Sequence, residues 1–161
     1  MISPNRKKSL IIVGTGDYYR RIVGPSLTQL EKERHIKILA TVSRSKAGEI
    51  EGIYHRIRPA NTPLSQLLAD FKKRDPIILL GHSSELHTDD ARDLVRAGFR
   101  VMLEKPYCID TAQLRTMRTL IQHYPQKIVL LEYYLMMKTI PLLQTVGKIR
   151  KNSFYITKKG I

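Results

Sequence analysis

The chain has 161 residues, with 28 Lys and Arg against 14 Asp and Glu, a formal charge of +14 at neutral pH. That length can bury the core of one domain, and the charge attracts phosphate ligands, nucleic acid or anionic surfaces without choosing among them. The single cysteine, Cys108, excludes an internal disulfide and any multi-cysteine zinc arrangement, no apolar run approaches the ~20 residues of a membrane span, and the chain reads as a cytoplasmic protein with no metal site.

After a basic start, Leu10 to Val13 is an apolar run entering Gly14-Thr15-Gly16, as a strand buried on both faces enters a tight glycine turn. Tyr18 to Arg34 reads as a helix broken early by Gly24-Pro25, with a short turn before the main helix. Ile36 to Val42 is the second strand, and Gly52 to Ile57 holds a short third. Leu64, Leu67, Leu68 and Phe71 share one face of a helix over Leu64 to Lys73 and belong to the core. Ile77 to Leu80 is a fully apolar strand. Thr88 is placed to cap a helix from Asp89 to Ala97 that stops at Gly98. Phe99 to Leu103 is the fifth strand, Asp110 or Thr111 caps a helix reaching about Gln122, and Lys127 to Leu131 is the sixth strand. Beyond it, Thr139 to Lys148 reads as helical around Pro141 and Ser153 to Thr157 as a strand. Strand alternates with helix throughout, which predicts an α/β fold: a doubly wound, mostly parallel sheet of about six strands.

Open α/β sheets bind ligands outside the carboxyl ends of their strands, and three such ends carry polar residues here. At the first, Gly14 permits the turn, Gly16 lets a pyrophosphate approach the backbone, and the following helix offers free N–H groups. Two glycines can also serve an ordinary strand-to-helix connection. The third small residue of a dinucleotide fingerprint is replaced by Tyr19, and Asp17 brings a carboxylate to the anion site unless it caps the helix. At the second end, Ser43-Arg44-Ser45-Lys46 has no acid for a ribose 2′-hydroxyl and suits the 2′-phosphate of NADP, with NAD the second choice; the alternative is that Arg44 and Lys46 solvate a loop. The later strand ends deliver Gly81-His82-Ser83-Ser84-Glu85-Leu86-His87 and Glu104-Lys105-Pro106. Charged groups at the end of a buried strand suit function better than packing, and the Lys105–Pro106 bond is a candidate for the cis form.

In this order, Gly14-Thr15-Gly16, Arg20-Arg21, Pro25-Ser26-Leu27, Leu86-His87, Ala97-Gly98 and Val101-x-x-Glu104-Lys105-Pro106 resemble the nucleotide-binding domain of the Gfo/Idh/MocA family of NAD(P)-dependent oxidoreductases, over about Ser9 to Tyr134. His82, Ser83 and Ser84 depart from that family's Thr-Pro-Asn, and His82 either crowds the dinucleotide or makes a new contact. A second similarity, through Gly16-Asp17-Tyr18-Tyr19-Arg20-Arg21 and Glu104-Lys105-Pro106-Tyr107, is to glucose-6-phosphate dehydrogenase. The resemblance implies hydride transfer between a nicotinamide and a carbinol or carbonyl carbon of a small-molecule substrate. It implies Lys105 as the catalytic group, with Gly14, Thr15, Gly16, Asp17, Tyr18, Ser83, Ser84, His87, Glu104 and Pro106 around the cofactor, joined by Ser43 and Arg44.

Family members continue into a second α/β domain that holds the substrate and often supplies an Asp-x-x-x-His pair. After Lys105 the only acids are Asp110 and Glu132 and the only histidine is His123, so no such pair occurs. Residues 1–134 are expected to form the dinucleotide-binding domain and 135–161 a basic extension, the possible start of a truncated substrate domain. Leu130, Leu131, Leu135, Met136, Met137, Leu142 and Leu143 are expected to leave apolar surface that needs cover from a second copy or another chain. The competing readings are a non-catalytic nucleotide-sensing or interaction module and a nucleic-acid binder, the last unsupported by any RNA- or DNA-binding motif.

Overall fold

The structure, a computed structural model, describes residues 7–17 and 19–131. Tyr18 and everything expected of 132–161, including the extension, its helix and strand and its apolar cluster, lie outside the described residues. β1 (Lys8–Val13), β2 (Ile36–Ser43), β3 (His55–Ile57), β4 (Ile77–Leu80), β5 (Arg100–Leu103) and β6 (Ile128–Leu130) form one six-stranded sheet in the order β3-β2-β1-β4-β5-β6. Every neighbouring pair is parallel. Strands buried on both faces must be apolar at every position, which is why Leu10 to Val13 and Ile77 to Leu80 stand side by side at the centre.

The strand alternation divides the core in two. Ile11, Val13, Val42, Ile78, Leu80, Val101 and Leu103 face one layer, where α2 (Leu64–Leu67), α3 (His87–Arg96) and α4 (Thr111–His123) contribute Leu64, Leu94, Val95, Met117 and Leu120. Leu10, Ile12, Ile38 and Leu79 face the other layer and pack against Tyr19, Val23 and Leu27 from a π turn (Tyr19–Val23) and α1 (Gly24–Lys32). Each fully buried aliphatic side chain contributes about 1.5–3 kcal/mol. The sheet is therefore doubly wound, as expected. Among the described residues no helix is long and apolar enough to cross a membrane.

Three local departures have identifiable causes. Tyr19 is buried where a small residue would let helix and strand touch; the chain widens into the π turn around it, and the close approach moves to Gly24, where an added Cβ would lie 3.0 Å from Tyr19 O and 3.1 Å from its ring. Proline follows at once, in the first turn of α1 where its missing N–H costs nothing. The helix expected over Leu64 to Lys73 splits, α2 giving way to a 3-10 stretch, Ala69–Arg74. The Arg56 guanidinium donates to the Leu67 carbonyl, the acceptor that the Phe71 N–H would use in an α-helix, and Phe71 donates to Leu68 O at 3.0 Å instead. The core role of Leu64, Leu68 and Phe71 is unchanged, since all three are buried.

Thr88 is not an N-cap. A 3-10 turn, Ser84–Leu86, runs directly into α3, so the chain is already helical at Thr88 and the preceding Leu86 offers no side-chain acceptor. Gly98 does end the segment, at φ +96°. Asp110 caps α4, accepting from the Gln113 N–H at 2.7 Å, while Gln113 Oε1 accepts from the Ile109 N–H at 3.2 Å.

Candidate functional site

The strand order turns back on itself between β1 and β4, and the loops leaving those strands part to open a cleft. The Gly14 N–H donates to Val42 O and the Gly81 N–H to Val13 O, both at 2.8 Å, so the ends of β1, β2 and β4 are tied together. Gly14 has φ +95°, and a Cβ there would sit 2.5 Å from the His82 backbone nitrogen. Glycine is required on both counts. The cleft has a volume of about 370 Å³, within the range of small-molecule sites, and is lined by Val13 to Asp17, Val42 to Arg44, Arg58, Gly81 to Ser83 and Leu86.

Thr15 is buried, its hydroxyl donating to Gly48 O at 2.6 Å. Gly48 is held so tightly against Thr15 and Ser43 that any Cβ would overlap both hydroxyls. Gly16 is the opposite case, because a Cβ built there meets no atom of the described residues beyond its chain neighbours within 4 Å. Nothing in the fold requires glycine at Gly16; open backbone facing a cleft is what the approach of a phosphate requires. The residues present thus fit a nucleotide at this turn. Asp17 does not cap α1; its exposed carboxylate lies 4.0 Å from Arg21.

Of the other residues expected around the cofactor, Ser43, Arg44 and Ser83 line the same cleft. Ser84 opens the 3-10 turn and is outside the lining. Glu104 is buried and lines a narrow recess that shares Gly14 and Gly81 with the cleft. Lys105 and Pro106 are exposed beyond it, joined by a cis peptide bond. His87 is 1% exposed and is not among the residues lining the cleft. Its Nδ1 lies 3.1 Å from Pro106 O and its Nε2 3.1 Å from His82 O, so the ring sits between the loop after β4 and the loop after β5, and as a neutral imidazole donates to one of the two carbonyls. Burial pushes its imidazole below the ordinary pKa and the neighbouring His82 adds to this, against the pull of the two carbonyls.

Sequence reasoning missed Arg58, and it noticed His82 only as a departure from a pattern. Both line the cleft and both lie against Asp90, in the first turn of α3. Arg58 donates to the two Asp90 oxygens at 2.7 and 2.8 Å and to Thr62 O at 2.8 Å. His82 Nε2 is 2.8 Å from Asp90 Oδ2. Burial works to raise the Asp90 pKa, but the bonds and charges of His82 and Arg58 outweigh it and hold the carboxyl below its ordinary value. His82 forms part of a polar wall on the β4 side of the cleft. Arg58 and Asp90 lie 32 residues apart, and no local pattern announces such a pair.

No protein-family model matches the chain, and no curated protein matches it. Solved structures do. An oxidoreductase from Thermotoga maritima matches at TM-score 0.63 and 24% identity, over 76% of this chain and 37% of that one. The WlbA dehydrogenase from Chromobacterium violaceum, in complex with NADH and UDP-GlcNAcA, matches at 0.59 and 23%, over 81% and 38%. A variant of KijD10, a 3-ketoreductase from Actinomadura kijaniata in complex with TDP-benzene and NADP, matches at 0.66 and 18%, over 89% and 43%. At these identities the likeness is one of fold. The chain spans about two fifths of the length of these structures, and its sheet is a Rossmann-type sheet shared with nicotinamide-dependent oxidoreductases.

Proposed function

We propose that the chain is the nucleotide-binding part of an NAD(P)-dependent oxidoreductase of the Gfo/Idh/MocA type, acting on a sugar-like or other small carbonyl or hydroxyl substrate. The observation that carries this reading is the open backbone at Gly16, set in a cleft at the point where the strand order reverses. Gly14 to Asp17 would hold the pyrophosphate, Ser43 and Arg44 the adenosine ribose, and Glu104, Lys105 and Pro106, beyond Gly81, the nicotinamide. The exposed Asp17 carboxylate opposes anion binding, and Arg44 on the cleft wall opposes that effect. The chemistry that a nicotinamide would supply there is the gain or loss of a hydride. The Lys105 ammonium donates a hydrogen bond to the substrate oxygen and stabilises the charge it gains as the carbonyl is reduced. His87 holds Pro106 and thereby the backbone that carries Lys105.

NADP is the preferred cofactor in this reading, through Arg44. Arg44→Ala is expected to weaken NADPH about tenfold or more and NADH less than twofold, since a charge-assisted arginine–phosphate bond exists only with the former. Titration of both nucleotides checks it, and equal weakening would reject the assignment. The matched structures are more than twice as long as the aligned part, which favours a second reading: nucleotide binding without turnover unless further residues or a second chain complete the substrate wall. An assay for nucleotide oxidation with candidate sugars, run on protein whose nucleotide binding has been measured, separates the two.

A further inference from the structure

We infer that His55, on the edge strand β3, is the positioning residue that fixes the loop after β2 and with it Arg44, and so sets the preference between dinucleotides with and without a 2′-phosphate. This rests on the reading of the cleft given above. The parallel register of β2 and β3 puts Thr41 beside His55. From there the imidazole spans the strand end. Its Nδ1 is 2.7 Å from the hydroxyl of Thr41, which is wholly buried. Its Nε2 is 3.1 Å from Ser43 Oγ and 3.3 Å from Ser45 O. The Ser43 hydroxyl in turn donates to Ser45 O, and the Ser45 N–H donates back to it at 3.3 Å.

One tautomer satisfies the whole set. With the proton on Nε2, the Thr41 hydroxyl donates to Nδ1, Nε2–H donates to Ser43 Oγ, and the Ser43 hydroxyl is left to donate to Ser45 O. The residue between the two pinned serines is Arg44, exposed and in the cleft lining. Its backbone is held from both sides by one ring. A phosphate reaching Arg44 therefore meets a loop already ordered, and ordering a loop during binding is a main cost of affinity. Because the Ser43 hydroxyl proton is committed inside the loop, discrimination by charge falls to Arg44. NADH, with no 2′-phosphate, gains little from the same order.

The test is a double-mutant cycle on NADPH and NADH binding, followed by nucleotide fluorescence, using His55→Ala, Arg44→Ala and the double variant. His55→Ala should weaken NADPH about three- to tenfold and NADH less than twofold, and it should have no further effect once Arg44 is alanine, since the two act as one unit. His55→Gln, whose amide can accept from Thr41 and donate to Ser43, should restore most of the lost NADPH affinity. Thr41→Val, isosteric and outside the cleft lining, cuts the same network from behind and should reproduce the selective loss; it decides the matter if His55→Ala does not fold. Equal weakening of both nucleotides, or a His55 effect that persists without Arg44, would show that His55 supports only the fold and overturn the inference. A parent chain that binds neither nucleotide would instead overturn the reading of the cleft, and the inference with it.

Discussion

Gly16→Val is expected to raise the dissociation constant for NADPH about a hundredfold or more, equivalent to ~2.7 kcal/mol, while leaving thermal stability within about 0.5 kcal/mol of the parent. The asymmetry follows from where the new side chain would go. A Cβ at Gly16 meets no atom of the described residues beyond its chain neighbours within 4 Å, so the fold accommodates it, and the space it fills is the approach of the pyrophosphate to the backbone. Gly14 behaves in reverse. Gly14→Ala forces an L side chain to φ +95° and drives its Cβ to 2.5 Å from His82 N and 2.7 Å from Gly81 C. Those are backbone atoms of the β4 loop and cannot swing aside, so a loss of about 3 kcal/mol or more is expected. Denaturant unfolding of both variants, with NADPH titration of whatever folds, checks the pair. A Gly16→Val protein that binds NADPH as the parent does would remove the phosphate from this turn.

Arg58→Met is expected to cost about 3 kcal/mol of folding stability, because it removes the bidentate partner of a buried carboxylate. The Asp90 side chain is 6% exposed and Arg58 18%, so water cannot make good the loss. The pair also sets an acid limit. The Asp90 carboxyl titrates lower in the folded chain than in the unfolded one. Its contribution is therefore complete at pH values above the ordinary carboxylate range and is lost as pH falls through the depressed folded value. Melting curves from neutral pH downward should show the parent losing stability below about pH 4, with a shallower acid limb in Arg58→Met. Equal slopes would mean that Asp90 is not held by Arg58.

The central strands were legible because each is a local pattern. Leu10 to Val13 and Ile77 to Leu80 are continuous apolar runs, and only a two-sided burial explains four such residues in a row. Their position at the middle of a parallel sheet followed from the alternation with helices. The glycine turn, Arg44 and Ser83 were likewise findable, since strand ends are where such sheets bind. What was not legible depends on partners far along the chain. The split of the helix at Leu67 comes from Arg56, eleven residues earlier, taking a carbonyl. Gly48 is required by the hydroxyls of Thr15 and Ser43, which only the fold brings to it. His87 stood out as a motif residue, yet its place between two loop carbonyls belongs to tertiary geometry alone. Tyr19 read as an obstacle because the site that absorbs it, Gly24, lies one π turn away.

The central claim, that the cleft at Gly14 to Asp17 holds a nicotinamide dinucleotide, is tested most directly by titrating the parent chain with NADPH and with NADH in a calorimeter. The account predicts saturable binding at one site per chain, tighter for NADPH than for NADH and lost in Gly16→Val. No heat beyond dilution for either nucleotide up to about 1 mM, where even a −4.1 kcal/mol interaction would register, would contradict it.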